Sequence, residues 1–283
     1  MELSRGESVF SHRLDEFPMS LPIALCQMVS GENPEENFAQ LKDLFHQARA
    51  GAGWILFPEN TLFQRERGST PVQGLTLDHP YFQELAELAQ KWDKDLLLGS
   101  VALQDSQSLT NASVAIDREG KIQVVYRKIH LFDVEVEGAP SQQESALFAP
   151  GPRPELMEVR GWKLGLSICY DLRFGELYAH YARQQVDVLT VPSSFLQPTG
   201  QAHWETLLRA RAIEGQCYVL APAQAGSFRH GHSLAVDPWG RVLVEAQTAG
   251  PEVLFAQLDL DRIQQVRRQI PMAQHRKEIT LKW

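Results

Sequence analysis

The 283-residue chain has little of three things: long apolar runs, cysteine and excess positive charge. No apolar run approaches the roughly 20 residues of a membrane-spanning helix, so we expect no membrane partner. The three cysteines, Cys26, Cys169 and Cys217, are too few for a disulfide scaffold and indicate a reducing, cytoplasmic compartment. Lys and Arg total 27 against 35 for Asp and Glu, and this net charge of −8 argues against a nucleic-acid partner.

Residues 1–20 differ from the rest of the chain because they are polar, mixed in charge and without apolar periodicity. They contain neither the apolar core of a secretory signal nor the acid-poor composition of a transit peptide. We therefore predict a poorly ordered N-terminal extension, with Met19 as a candidate alternative start. No composition break marks a linker later in the chain, so residues 21–283 are predicted to form a single domain.

From residue 21 onward, strand and helix patterns alternate. Asn33 followed by Pro34 is typical of a helix start, and Gly51 marks the end of that helix. Further helices are predicted over 81–92, 176–183, 204–213 and 261–269. Strands are predicted over 21–28, 54–57, 96–101, 163–168, 186–191, 217–221 and 253–258, with hairpins over 112–126 and 233–244 and an irregular stretch over 129–160. This order predicts an α/β protein whose mixed sheets are covered by helices.

Three reactive side chains follow strand-like segments, where α/β sheets commonly present functional groups to a crevice. Glu59 follows the segment 54–57, Lys128 ends the strand of the first hairpin, and Cys169 follows the segment 163–168. A nearby cation or helix N-terminus lowers the pKa of a thiol, and a carboxylate can accept the thiol proton and return it to a leaving amine. Together the three residue types suffice for acyl transfer without a histidine.

The segments that carry these residues are Phe57-Pro-Glu59, Tyr126-Arg-Lys-Ile-His-Leu-Phe-Asp133 and Ile168-Cys-Tyr-Asp-Leu-Arg-Phe174. In this order they resemble the Glu-Lys-Cys triad of the nitrilase superfamily of carbon–nitrogen hydrolases. The resemblance runs from about residue 21 to about residue 277. The segments 199–218 and 237–240 are especially similar to the Nit branch of that superfamily.

The resemblance implies a four-layer α-β-β-α sandwich that assembles as a homodimer or higher homo-oligomer, with no cofactor and no metal. It implies hydrolysis of the terminal amide of a small 2-oxo acid, deaminated glutathione above all, through a cysteine thioester with release of ammonia. Another ω-amidase, acting on α-ketoglutaramate, or an enzyme for small aliphatic amides or nitriles is an alternative. A non-catalytic binding protein on the same fold and a Cys-His peptidase are alternatives from other classes.

Carried over from the family, Cys169 is the nucleophile and Glu59 is first the general base and then the general acid. Lys128, helped by the backbone N–H of Tyr170, is expected to stabilise the oxyanion. The family's second glutamate matches Glu144 by context; Glu137 is nearer to Lys128 in sequence but matches less well.

The resemblance also implies a substrate-binding set consisting of Tyr170, Arg173, Phe195, Thr199 and His203. We expect Arg173 either to bind a substrate carboxylate or to form a structural ion pair with an acid such as Glu176. The chain has Gly175 where the family usually has proline, and Gln201 where relatives often have proline. The first of these changes predicts a shifted helix start.

Other candidate residues are given a structural role. Cys26 and Cys217 lie in apolar runs and are expected to pack in the core. His230 and His232 have no further ligands at suitable spacing, so we expect no metal there.

Overall fold

A computed structural model describes residues 19–65, 70–105, 108–135 and 141–277. Residues 1–18 of the predicted N-terminal extension lie outside the described residues. Its last two residues belong to the fold, since Ser20 begins the first strand and the carbonyl oxygen of Met19 accepts a hydrogen bond of 2.9 Å from the Leu260 N–H. In the described part of the chain, no helix is both long enough and apolar enough to span a bilayer.

One six-stranded sheet contains the first strands of the chain and its last. Its members are β1 (Ser20–Gln27), β2 (Trp54–Phe57), β3 (Asp95–Gln104), β4 (Leu109–Ile116), β5 (Ile122–Arg127) and β14 (Glu252–Asp259), in the spatial order β14-β1-β2-β3-β4-β5. The central strands β1, β2 and β3 are parallel, and the outer pairs are antiparallel.

A second six-stranded sheet has the same plan. Its members are β8 (Leu156–Val159), β9 (Trp162–Leu166), β10 (Val188–Thr190), β11 (Tyr218–Ala221), β12 (Leu234–Val236) and β13 (Val242–Glu245), in the order β13-β12-β11-β10-β9-β8. Strands β9, β10 and β11 are parallel. Strand β8 lies in the stretch predicted to be irregular, and a small hairpin of β6 (Asp133–Val134) and β7 (Gln142–Gln143) lies there too.

Six α-helices and two short 3₁₀ helices complete the described elements. They are α1 (Pro34–Ala48), α2 (Pro80–Trp92), α3 (Gly175–Arg183), α4 (Gln197–Gly215), α5 (Leu260–Gln269), α6 (Met272–His275), η1 (Glu144–Ala146) and η2 (Cys169–Arg173). Helix α4 begins at Gln197 rather than at the predicted Trp204. Pro198 lies in its first turn, where the missing N–H of proline leaves no hydrogen bond unmade.

The apolar side chains divide the molecule into four layers. One face of the first sheet packs against α1 and α2 through Ala24, Cys26, Ile55, Phe57, Leu96, Phe38, Leu41, Phe82 and Leu85. The other face meets the second sheet, whose far side packs against α3 and α4, through Ile23, Leu25, Trp54, Leu56, Leu164, Leu166, Tyr181 and Leu208. The predicted single-domain α-β-β-α sandwich is therefore confirmed.

The two sheets approach closely at the end of β2. A Cβ atom at Gly99 would lie 2.2 Å from the carbonyl oxygen of Phe57 and 2.2 Å from the Cβ atom of Pro192, so only glycine fits between the sheets here. The carbonyl oxygen of Pro192 accepts a 3.0 Å hydrogen bond from the backbone N–H of Cys169. The close approach thus places the end of β2 beside the Cys169 segment.

Candidate active site

Glu59 lies just beyond the end of β2 and is only 3% exposed. Its backbone oxygen accepts a 3.0 Å hydrogen bond from Gln224 Nε2, which ties it to the second sheet. Asn60, the next residue, has a φ of 57°, a left-handed conformation that asparagine tolerates better than most residues. This turn directs the chain away from the sheet and leaves the Glu59 carboxylate in the interior.

Lys128 follows β5 and is 2% exposed, so its ammonium group is buried between two carboxylates. Nζ lies 2.8 Å from Glu59 Oε1 and 2.8 Å from Glu144 Oε2. Desolvation lowers the pKa of Lys128, but the charges of Glu144 and Glu59 more than offset it and hold the pKa well above its ordinary value. Lys128 is therefore a permanent cation at neutral pH.

Glu144 is the first residue of η1, and the β6–β7 hairpin positions it. Its Oε2 accepts a 2.7 Å hydrogen bond from the backbone N–H of Phe132, and Asp133 Oδ1 accepts one of 2.9 Å from the Ser145 N–H. The structure thus brings Glu144 against Lys128. The alternative residue, Glu137, lies outside the described residues.

Cys169 lies at a sharp turn between β9 and α3, with a φ of 48°. This left-handed conformation costs a non-glycine residue about 1–2 kcal/mol, so the surroundings have to hold it in place. Asp171, fully buried, does so by accepting hydrogen bonds from Ile168 N (2.9 Å) and Tyr126 Oη (2.8 Å). It also binds His130 through the backbone N–H at 3.0 Å and through Nδ1 at 2.7 Å.

We expected Lys128 and the helix that follows to lower the pKa of the Cys169 thiol, but the net shift of that pKa in the structure is upward. Burial raises its pKa, and the charge of Glu59 and a hydrogen bond to Glu59 raise it further. Lys128 and a backbone hydrogen bond from Ser194 lower it, but the net result lies well above the ordinary value. A neutral thiol beside a carboxylate is the arrangement that results.

Sequence reasoning missed Asn111 and Asp171 as site residues. Asn111, in β4, donates from Nδ2 to Glu59 Oε1 at 3.1 Å and to Glu144 Oε1 at 2.8 Å. Asp171 lies two residues after Cys169, inside the segment 168–174, and the resemblance assigns it no role. The sequence gives no signal for the role of Asn111, because its partners Glu144 and Glu59 are 33 and 52 residues away along the chain.

A cavity of about 780 Å³ opens over these side chains. Glu59, Lys128, Glu144 and Cys169 all line it. Its other lining side chains include Phe63, Gln64, Arg65, Phe132, Phe148, Ser194 and Arg229. The guanidinium group of Arg229 lies 3.3 Å from the carbonyl oxygen of Ser194, the residue whose N–H faces the thiol.

The predicted substrate-binding residues lie together but do not line this cavity. Arg173 Nη1 is 3.1 Å from His203 Nδ1, and its guanidinium lies 5.3 Å from the centre of the Phe195 ring and 5.9 Å from that of Tyr170. Thr199 Oγ1 donates to the carbonyl oxygen of Leu196 within the first turn of α4. The role of this set in substrate binding stays a prediction.

Two other predictions about side chains concern Arg173 and the helix start at Gly175. Among the described residues Arg173 forms no ion pair with Glu176 or another acid and instead contacts His203, so that alternative is wrong. Helix α3 begins at Gly175, one residue before the predicted start, and a Cβ atom there would lie 3.6 Å from Arg211 Nη1 at the nearest.

The remaining cysteines and histidines have structural surroundings. Cys26 and Cys217 are fully buried, and burial raises the pKa of Cys217 to about 12. His232 Nε2 pairs with Glu245 Oε2 at 2.7 Å. Across the described residues, no group of three or more His, Cys, Asp or Glu side chains is arranged to hold a metal ion.

The arrangement can carry out nucleophilic acyl transfer. Such a reaction requires a nucleophile, a group that takes its proton and a stabilising positive charge. Here a buried thiol, a carboxylate and a permanent cation line one cavity. Residues 22–268 match the carbon–nitrogen hydrolase family. The chain belongs to this family.

Known members resemble this carbon–nitrogen hydrolase over most of its length. A deaminated glutathione amidase of Bos taurus is 38% identical over 285 residues, which cover 94% of this chain and 84% of that protein. Among solved structures, Nit3 of Saccharomyces cerevisiae, a member of branch 10 of the nitrilase superfamily, gives a TM-score of 0.77 at 27% identity and covers 91% and 97% of the two chains. The predicted membership of the nitrilase superfamily is confirmed.

The NitFhit protein of Caenorhabditis elegans gives a TM-score of 0.81 at 34% identity. The match covers 91% of this hydrolase and 65% of the NitFhit chain. This hydrolase therefore spans about two thirds of the NitFhit chain.

Proposed function

We propose that this carbon–nitrogen hydrolase acts on deaminated glutathione. The observation that carries the proposal is the convergence of Glu59, Lys128 and Cys169 on one cavity in a chain 38% identical to a deaminated glutathione amidase. Arg65 and Arg229 add positive charge to the cavity lining, which supports an acidic substrate despite the net charge of −8.

The chemistry of the substrate corrects one expectation. Deaminated glutathione is glutathione with an oxo group in place of the glutamyl amine, so its γ-amide joins a 2-oxo acid to a cysteinylglycine dipeptide. Hydrolysis of that amide releases the dipeptide amine, whereas ammonia is released only from a primary amide such as α-ketoglutaramate. Both substrates would leave the same acyl group on the enzyme.

In the first half of the proposed reaction, Cys169 Sγ attacks the amide carbon while its proton moves to Glu59. The carbonyl oxygen becomes an oxyanion, which Lys128 and the backbone N–H of Tyr170 stabilise; each such donor is commonly worth about 3 to 4 kcal/mol. Glu59 then gives its proton to the departing amine, the carbon–nitrogen bond breaks, and the acyl group remains on sulfur as a thioester.

In the second half, water attacks the thioester carbon and gives a proton to Glu59. The carbon–sulfur bond breaks, the proton returns to sulfur, and the free 2-oxo acid leaves. Glu144 shares the Lys128 ammonium with Glu59 and keeps it in place through both halves.

A substrate panel tests the proposal. We expect the purified enzyme to hydrolyse deaminated glutathione with a higher kcat/KM than α-ketoglutaramate, short aliphatic amides or nitriles, with the 2-oxo acid and free amine as readouts. A preference for α-ketoglutaramate, or for a nitrile, would overturn the assignment of deaminated glutathione. If the enzyme hydrolysed none of these compounds, the proposed amidase activity would be overturned.

We also propose a cytoplasmic location and a homodimer or larger homo-oligomer. All three cysteines are free and buried, which supports a reducing compartment. Exposed apolar side chains on α4 and the β12–β13 hairpin, among them Ile213 and Trp239, support burial against a second copy. Cell fractionation and light scattering test these two statements, and a monodisperse monomer would contradict the second.

A further inference from the structure

The side-chain amide of Asn111 forms a bridge between the two carboxylates of the site. Its Nδ2 donates to Glu59 Oε1 at 3.1 Å and to Glu144 Oε1 at 2.8 Å, one hydrogen bond to each. Strand β4 fixes its position, because Asn111 pairs with Ala102 in β3 and its carbonyl oxygen accepts a 2.9 Å hydrogen bond from the Lys128 N–H. Asn111 therefore contacts all three charged residues of the cluster.

The other end of the same amide is unsatisfied. Asn111 is 2% exposed, and its Oδ1 is buried without a hydrogen-bond partner among the described residues. A buried unpaired carbonyl costs folding free energy, and the two hydrogen bonds that the same amide donates to carboxylates offset that cost. The two donated hydrogen bonds are what the residue contributes.

Those two bonds matter because the cluster holds more negative than positive charge. The titratable groups that the structure places against Glu59 are Lys128 from the end of β5, Glu144 from η1 and Cys169 from the turn after β9. Two carboxylates thus share one ammonium in a buried site, where like charges favour uptake of a proton. A hydrogen bond donated to each carboxylate favours its ionised form.

We propose that Asn111 is a positioning residue that keeps Glu59 and Glu144 both ionised, so that Glu59 remains able to accept the Cys169 proton. The inference rests on the proposed roles of Glu59 and Cys169 in hydrolysis. If Asn111 acted only through its shape, the isosteric change Asn111→Asp would leave the pH profile of kcat/KM in place. If it acts through its hydrogen bonds, the same change should shift that profile.

The test is the pH profile of kcat/KM for Asn111→Asp and Asn111→Ala. It is measured with the amide substrate that the wild-type enzyme hydrolyses fastest. Asn111→Asp keeps the shape but replaces the donor with a third carboxylate, so we expect the acid limb to move up by about one pH unit or more. On that limb a shift of one unit is about a tenfold loss of kcat/KM. Asn111→Ala removes the donor without adding charge and should move the limb in the same direction by less.

Ser113→Ala is the matched control, because Ser113 is a buried polar residue of the same strand whose Oγ binds the carbonyl oxygen of Gly99 instead of the site. Its acid limb should coincide with that of the wild type. An Asn111→Asp enzyme with the wild-type profile, or with kcat/KM lowered equally at every pH, would overturn the proposal.

Thermal melting shows whether each variant is folded, and Asn111→Ala decides the question if Asn111→Asp does not fold. Rejection of deaminated glutathione by the wild type would overturn only the proposed substrate, since the profile can be read on another amide. An unmoved acid limb would overturn only the role of Asn111.

Discussion

At the scale of single residues, the charges around Cys169 decide how the proposed reaction starts. Burial and Glu59 hold the pKa of the thiol well above its ordinary value, while Lys128 acts in the opposite direction and does not prevail. A resting thiolate would add a further negative charge beside Glu59 and Glu144. The proton therefore has to pass to Glu59 as sulfur attacks, and the enzyme rests with a protein thiol that indiscriminate electrophiles attack slowly.

Glu59→Gln separates the two effects of that carboxylate. Removing its charge removes a cause of the raised pKa, so the pKa of Cys169 should fall, and the thiolate should appear at lower pH than in the wild type. Turnover should nevertheless fall by about 10²- to 10⁴-fold because the general base is gone. The ultraviolet absorbance of the thiolate, measured against Cys169→Ala as a blank, gives the pKa; a rise in the pKa would contradict the account.

At the scale of elements, the sequence predicted most strands and helices but not every boundary. The motif residues Glu59, Lys128 and Cys169 could be found because each lies one to three residues after the end of a strand, in a segment that resembles the family. Asn111 could not, because its role depends on the pairing of β3, β4 and β5 and on a hairpin that brings in Glu144. Local sequence does not show which distant strands will be neighbours.

Two predictions of secondary structure were incomplete, those of β8 and of the start of α4. Strand β8 was missed because its four residues follow a proline-rich segment and are stabilised by pairing with β9 at the edge of the sheet. The first turns of α4 were missed because Gly200 disfavours a helix locally. In the folded protein a Cβ atom at Gly200 would lie 2.2 Å from the His230 side chain, so the close packing requires the glycine.

The start of α3 offers a prediction at this scale, because Gly175 is the first helical residue and follows Phe174 in an extended conformation. Proline fits such a position without losing a hydrogen bond, and it restricts the unfolded chain. Gly175→Pro should therefore raise the free energy of unfolding by about 0.4–1 kcal/mol, measured by denaturant titration.

Gly200→Pro is the control for this substitution. The Gly200 N–H donates a 2.8 Å hydrogen bond to the carbonyl oxygen of Leu196, so proline removes a bond within α4, and its Cβ atom also clashes with His230. We expect it to destabilise the enzyme by about 3 kcal/mol or more. Destabilisation by Gly175→Pro of a similar size would show that the start of α3 is wrongly placed.

At the scale of the whole molecule, the sandwich is closed by the pairing of the first strand with the last. Strand β1 pairs with β14 from Ser20↔Asp259 to Gln27↔Glu252, and this register begins at residue 20. Among the described residues, β1 already has a neighbouring strand on each side, β14 and β2. This supports the prediction that the segment before it is an appendage.

Deletion of residues 1–18 should leave kcat/KM within about twofold of the full chain and the melting temperature within a few degrees, since the pairing of β1 with β14 begins at residue 20. Deletion through Gln27, which removes β1, should abolish folding because it opens the first sheet between β14 and β2. An inactive but folded 1–18 deletion would assign the extension a role in the site.

The central claim is that one buried thiol carries the hydrolysis. Its most direct test is the rate at which Cys169→Ala releases the 2-oxo acid from deaminated glutathione, compared with the wild type under the same conditions. The account predicts loss of turnover to the uncatalysed background, with a melting temperature within a few degrees of the wild type. Turnover by a folded Cys169→Ala enzyme at a rate comparable with the wild type would contradict it.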